Sequence, residues 1–274
     1  MTEQTDHWET SQKILVILAH PDDPEFFCGG TLARWALAGH DISYVLLTCG
    51  DKGFNPATQA GMTTEKLCSI RFEEQQNAAR VIGAGSVRFL DRADGYLVPD
   101  LDLRRDVVRL IREYRPDILV TCDPQTLFAT YGINHPDHRA AGQVVLDAVF
   151  PAAGNLTFFP ELLGEGFEPH MPKEIWCSLT VQPNVTIDVT DTWNIKLNAI
   201  LEQAIKQHNP PTVRGKARRF YYATQLKTQP PTIALFSNTE YLELWALHQK
   251  QAGLYGQMAM QATNLRMDLT FLPV

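Results

Sequence analysis

Cysteine is scarce and odd in number. The five (Cys28, Cys49, Cys68, Cys122, Cys177) form no Cys-x-x-Cys pair. That spacing argues against a disulfide framework and against a structural zinc ribbon. Cys49, Cys122 and Cys177 sit in apolar, strand-like runs and read as buried small hydrophobes. Positive charge is also short: 24 Lys and Arg against 31 Asp and Glu leave a net charge of −7. That balance excludes a general basic face for nucleic acid or an anionic membrane. The short basic cluster from Arg214 to Arg219 reads as a solvated helix end or loop. No apolar run approaches the length of a membrane span. Met1 to Gln12 is polar and acidic with no apolar h-region, so no signal peptide is visible and the chain reads as cytoplasmic. No internal repeat and no linker divides the chain. The Gly-x-Gly-x-x-Gly that a dinucleotide-binding protein carries after its first strand is missing too.

What is present is a globular composition, with 45% hydrophobic residues over 274 positions, enough for one large α/β domain. Lys13–Ala19 is a continuous apolar run, as expected of a strand covered on both faces. A helix over Gly29–Gly39, a strand at Ile42–Thr48, a helix at Thr64–Ile82 and a strand at Val87–Asp91 follow. Leu101–Tyr114 is a helix stopped before Pro116, Asp117–Cys122 a buried strand, and Pro136–Val149 a helix with proline in its first turn. The alternation predicts a mostly parallel sheet in a Rossmann-like three-layer sandwich, whose ligands bind at the carboxyl ends of the strands. The second half is less regular. Glu174–Val181 and Val185–Val189 read as a strand pair, Thr192 to Gln207 as a helix, and Tyr241–His248 as a further one. The expectation is a single domain over residues 1–274. Its core at 12–150 carries the site, and 151–274 form a smaller β/α extension.

Two short motifs carry chemistry. Ala19-His20-Pro21-Asp22-Asp23 follows the first strand, and His135-Pro136-Asp137-His138 opens a helix after the fourth. Catalytic zinc takes three His, Asp or Glu ligands and keeps one position open. Adjacent aspartates diverge, so one can bind a metal while the other takes a proton from water. His135 and His138 share a helix face, so one can ligate and the other stand beside the open position. Asp137 is placed to hold an imidazole N–H. Read alone, His-Pro-Asp-Asp is equally a helix-capping turn with Asp as N-cap. The conjunction at two strand ends favours the metal reading.

The chain resembles the LmbE/PIG-L-like zinc deacetylases, the N-acetylglucosaminyl de-N-acetylase superfamily, from about Lys13 to Lys196. The resemblance is carried by the two motifs together with Glu25, Gly29-Gly30-Thr31-Leu32, Thr48-x-Gly50-x-x-Gly53 and Arg71-x-x-Glu74. Asp94-Gly95, Arg115-Pro116-Asp117, Ile187 to Asp191 and Lys196 extend it. It implies that His20, Asp23 and His138 bind Zn2+, with Fe2+ or another divalent metal as an alternative. It implies that Asp22 is the general base. His135 would polarise the carbonyl or oxyanion, or protonate the leaving amine, with Asp137 orienting it. Arg71 and Asp94 match positions that contact the sugar.

The chain departs from the pattern in places. Pro24 separates Glu25 from the aspartates, Phe27 replaces a common glycine, and Gln203 stands where a C-terminal histidine is usual. Tyr131 is similar to a site-lining tyrosine of some members. The implied reaction is removal of an N-acetyl group from an N-acetylglucosamine-type sugar or conjugate. The implied partner is a small N-acetylated amino sugar, and the implied assembly a homo-oligomer, a trimer or hexamer by analogy. Rival readings are an amidase of thiol-sugar conjugates, near the bacillithiol-pathway enzymes, a non-catalytic member of the family, and a non-catalytic Rossmann-like binding protein.

Overall fold

The computed structural model describes residues 6–53, 61–129, 132–185, 187–203 and 263–268. The first half runs β1 (Lys13–Leu18), α1 (Asp23–Leu37), β2 (Asp41–Thr48), α2 (Thr64–Ile82), β3 (Ser86–Arg92), α3 (Leu101–Tyr114) and β4 (Ile118–Cys122). A short antiparallel ribbon, β5 (Phe128–Ala129) and β6 (Gly132–Ile133), precedes α4 (Pro136–Asp147). Then come α5 (Glu161–Gly164), β7 (Glu174–Thr180), α6 (Trp193–Gln203) and β8 (Thr263–Asp268). The main sheet has the order β3-β2-β1-β4-β7-β8. Every pairing in it is parallel except β7 with β8.

The apolar run of β1 is split by its pleat. Ile14, Val16 and Leu18 face one core with Leu32, Trp35, Ile82 and Trp176. Leu15 and Ile17 face the other with Val107, Ile111, Leu119 and Val144. Each such side chain contributes about 1.5–3 kcal/mol by leaving water. Helices α1, α2 and α6 therefore cover one face and α3 and α4 the other, the expected three layers. Because β1 pairs with β2 on one side and β4 on the other, the strand order reverses there. A crevice opens at their carboxyl ends.

Local chemistry explains the boundaries. Thr63 accepts a hydrogen bond from Lys66 N to start α2, and Gly83 at φ 97° ends it. Asp100 caps α3 through Leu103 N. Helix α1 starts at Asp23, ahead of the expected Gly29. Pro24 fits a first turn, and Asp23 and Glu25 complement the positive helix end. Helix α4 stops at Asp147, short of Val149, and passes into a distorted turn over Ala148–Ala153 where Phe150 is extended before Pro151.

Three expectations are corrected. Among the described residues of 185–189 there is no strand of the sheet, only a single bridge residue at Val185, and β8 takes the free edge of β7. Val185, Ile187 and Val189 are instead buried in the core beside α1. Cys49 is no free hydrophobe: it forms a disulfide with Cys68, while Cys28, Cys122 and Cys177 are free and buried. Helix α6 is described from Trp193 to Gln203, a residue later than the expected start. Residues 204–207, the expected helix at Tyr241–His248, the basic cluster at Arg214–Arg219 and Tyr131 lie outside the described residues. No described helix is long and apolar enough to cross a membrane.

Candidate active site

The turn after β1 delivers the first motif. Asp22 occupies the N-cap position of α1 in the left-handed region, φ 86°, yet its side chain caps no helix N–H. The carboxylate meets Arg71 Nη2 at 3.0 Å instead and is about one-third exposed to the crevice. The capping role that the sequence left open is thus not taken by the side chain. Asp23, one residue on, turns inward, and its Oδ2 accepts from His20 N at 2.9 Å. The second motif arrives on α4. Gly142 lets this helix approach β4 closely, because a Cβ there would lie 2.2 Å from the Cys122 carbonyl oxygen.

Three side chains converge, two imidazoles and both oxygens of one carboxylate. His20 Nδ1 lies 3.3 Å from His138 Nε2 and 3.5 Å from Asp23 Oδ2, and His138 Nε2 lies 3.2 Å from Asp23 Oδ1. Tetrahedral zinc with bonds of about 2.0–2.1 Å sets neighbouring ligands roughly 3.3–3.4 Å apart. The tautomers agree. His20 Nε2 donates towards Asp94 Oδ1 at 3.1 Å and Asp137 Oδ2 at 3.3 Å, which leaves a lone pair on Nδ1. His138 Nδ1 donates to Asn134 Oδ1 at 3.0 Å, which leaves a lone pair on Nε2. Asn134 is fully buried and held the right way round by Nδ2 donating to Thr126 O. Two imidazole lone pairs and a carboxylate facing one another repel unless a cation lies among them. The residues present therefore fit a divalent metal.

The expected carboxylate–imidazole pair between Asp137 and His135 is not the one built. The Asp137 carboxylate faces His20 and is fixed by Gly95 N at 2.6 Å and Leu97 N at 3.2 Å. His135 touches Asp137 only through the backbone, its Nδ1 accepting from Asp137 N at 3.2 Å. That bond makes Nε2 the protonated nitrogen of a neutral ring which lines the cavity. Arg71 is nearly buried, and its guanidinium donates to Gly50 O, Pro21 O and Asp22. Gly50 is needed for this approach: at φ +67° its Cβ would lie 2.0 Å from Arg71 Nη1. His20, Asp22, Asp23, Arg71, Asp94, His135 and His138 line one cavity of about 550 Å³, within the range of small-molecule sites.

The electrostatics follow from burial and charge. Burial opposes charge on His20, but Asp23 and hydrogen bonds to Asp137, Asp23 and Asp94 overcome it and push the imidazole up to about 12. A field that favours a proton this strongly favours any cation held there. Burial likewise opposes charge on Asp23, and His138 and His20 hold it well below the usual carboxylate range. Burial pushes Asp22 up to about 6 against the pull of Arg71. Burial and the neighbouring His20 and His138 lower His135, which keeps it neutral.

Sequence reasoning missed Asn134, four residues before His138, and Gln75, four after Arg71 on the buried face of α2. For Gln75 the available signal was its place on the buried face of α2; Asn134 lies in the loop before α4 and carried none.

Comparison with known proteins places the chain in a family. The family model described as PIG-L, GlcNAc-PI de-N-acetylase, matches residues 15–149. A KH-domain-like model of the C-terminal part of EngA bacterial GTPases matches residues 194–244, mostly outside the described residues. The chain is 33% identical over 189 residues to the diacetylchitobiose deacetylase of Thermococcus kodakarensis, covering 69% of this chain and 68% of that protein. It is 30% identical to the 1D-myo-inositol 2-acetamido-2-deoxy-alpha-D-glucopyranoside deacetylase of Streptomyces scabiei, covering 85% and 84%. The solved N,N'-diacetylchitobiose deacetylase of Pyrococcus horikoshii, complexed with its inhibitor MPG, superposes with a TM-score of 0.70 at 25% identity, covering 85% of this chain and 86% of the other. With the parallel sheet, the paired motifs and these relatives together, the chain belongs to the PIG-L (LmbE-like) family of N-deacetylases.

Proposed function

We propose that this protein is a metal-dependent hydrolase that removes the N-acetyl group from an N-acetylglucosamine-type sugar or conjugate. One observation carries the reading. Three lone-pair donors stand 3.2–3.5 Å apart on the wall of a cavity that also holds a carboxylate near pKa 6 and a neutral histidine. His20, Asp23 and His138 would hold a divalent metal, Zn2+ by its donor set or Fe2+ in its place. A metal there supplies Lewis-acid polarisation and lowers the pKa of water.

The protein groups divide the remaining work. Asp22, ionised above its pKa, removes a proton from the attacking water. The water oxygen adds to the amide carbon, and the carbonyl electron pair moves onto oxygen. His135 donates its Nε2–H to that oxygen, a contribution of about 2.7–4 kcal/mol where such donors have been removed. Asp22 then returns its proton to the nitrogen, because an amide nitrogen leaves poorly unprotonated. The C–N bond breaks, and acetate and a free amine leave. Asp137 and Asp94 hold the His20 ring, and Asp94 with Arg71 borders the space where a sugar lies. The size of the cavity supports a small-molecule partner. A homo-oligomer and one catalytic unit spanning the chain are part of the proposal by analogy with the family. In a reducing cytoplasm Cys49 and Cys68 would stand as two thiols.

The test is acetate release from N-acetylglucosamine and N,N'-diacetylchitobiose by the wild type, Asp22→Asn and His135→Ala. Asp22→Asn is expected to lower kcat by about 10²–10⁴-fold with metal content retained, and His135→Ala by about 10²–10³-fold. Wild-type turnover by Asp22→Asn overturns the mechanism.

A further inference from the structure

Asp22 is gripped at its backbone as well as at its carboxylate, and the second grip comes from residues outside the cavity. Its N–H donates to Gln75 Oε1 at 2.8 Å. Gln75 lies one turn after Arg71 on α2, so one helix holds both ends of the residue. Gln75 Nε2 donates to Glu25 Oε1 at 2.9 Å and Oε2 at 3.1 Å. Gln203, from α6, donates through Nε2 to Glu25 Oε2 at 2.9 Å and to Gln75 Oε1 at 2.8 Å. Glu25 and Gln75 are fully buried and Gln203 is 5% exposed, so bulk water does not compete.

The ring fixes its own direction. Turning the Gln75 amide over would set its NH₂ against the N–H of Asp22 and the NH₂ of Gln203. It would also set its carbonyl against the Glu25 carboxyl. With Oε1 locked towards Asp22, the N–H of that residue stays bound in the left-handed turn, a conformation that an L-residue with a Cβ enters at a cost. None of Glu25, Gln75 and Gln203 lines the cavity.

We propose that Gln75 and Gln203 are positioning residues for Asp22, two buried amides oriented by Glu25 that hold the base in its left-handed turn and couple it to α6. The proposal rests on the reading of Asp22 as general base. It also gives a task to Gln203, one of the positions at which this chain departs from the family pattern.

The experiment measures acetate release from N,N'-diacetylchitobiose by the full-length, zinc-loaded wild type, Gln75→Met, Gln203→Met, the double variant and Asp22→Asn. Metal content and thermal melting are followed in each. Gln75→Met is expected to lower kcat by about 10–100-fold with KM within about twofold and metal content unchanged, as for a displaced catalytic group. Gln203→Met is expected to lose less, about 3–10-fold, because it acts through Gln75. The double variant is then no slower than Gln75→Met, whereas independent packing roles would multiply. Wild-type kcat in both single variants, or multiplied losses in the double, overturns the proposal. If Gln75→Met does not fold, Gln203→Met decides alone by the same split between kcat and KM. A crystal structure of Gln75→Met reads the claim without turnover: Asp22 leaves the left-handed region, or stays there and the proposal falls. Full activity of Asp22→Asn would overturn the base reading itself. An inactive Asp22→Asn beside fully active glutamine variants would overturn only the positioning.

Discussion

A general base must be ionised when it acts and must still bind a proton well enough to hand it on. Asp22, the proposed base, meets both needs because burial pushes its carboxyl up to about 6 while Arg71 pulls it back. The sign is fixed: an acid with a raised pKa is ionised above that value and lost as a base below it. We therefore expect kcat to fall about tenfold per pH unit on the acidic side of about pH 6. Arg71→Met should move this limb to higher pH, since the cation that favours the ionised form is gone. A limb that stays in place would contradict the pairing. At His138 the deciding neighbour is Asn134, which fixes the tautomer. Asn134→Leu should weaken metal affinity by about 10–100-fold in competition with a chelator, at nearly unchanged fold stability. The residues of the proposed ligand triad and base stood out in sequence because they are contiguous in two short motifs, and the family resemblance proposed their roles. Asn134 and Gln75 did not, because an amide in a loop or on a helix looks the same whether it is solvated or locked inside. Asp137 was half legible: its importance was visible, but the histidine it holds depends on how the Asp94–Leu97 loop folds over it.

At the level of elements, caps and breakers decided what could be read. Helices α2 and α3 fall where their threonine, aspartate, glycine and pre-proline signals put them. Helix α1 was read too late, because two glycines and a proline masked a first turn that its acidic residues favour. The strand pair after β7 was misread for a different reason. Apolar alternation at Val185, Ile187 and Val189 reports burial, and burial here comes from packing in the core beside α1 and not from a strand of the main sheet. The element that matters most for the site is α4, which carries both histidines of the second motif and rests on β4 through Gly142. Gly142→Ala would push a methyl group into the Cys122 carbonyl, an obstacle that no side-chain rotation relieves. It should cost about 1–3 kcal/mol in equilibrium denaturation and loosen the metal site with it. Unchanged stability and metal affinity would contradict so close an approach of helix and strand.

For the molecule as a whole, the strand order makes the site. Reversal at β1 and β4 opens the crevice, and the two motifs enter it from these two strands although they lie far apart in sequence. The alternation of strands and helices made that crevice predictable. The Cys49–Cys68 disulfide and the pairing of β8 with β7 were not, because each joins segments that sequence spacing does not relate. The account stands on one dependence, that N-acetyl hydrolysis needs a divalent ion held by His20, Asp23 and His138. The most direct test is acetate release from N,N'-diacetylchitobiose by protein stripped with a chelator and then titrated with zinc. The account predicts no release from the stripped protein and recovery that saturates near one metal per chain. Undiminished release after stripping, with elemental analysis confirming that the metal is gone, would contradict it.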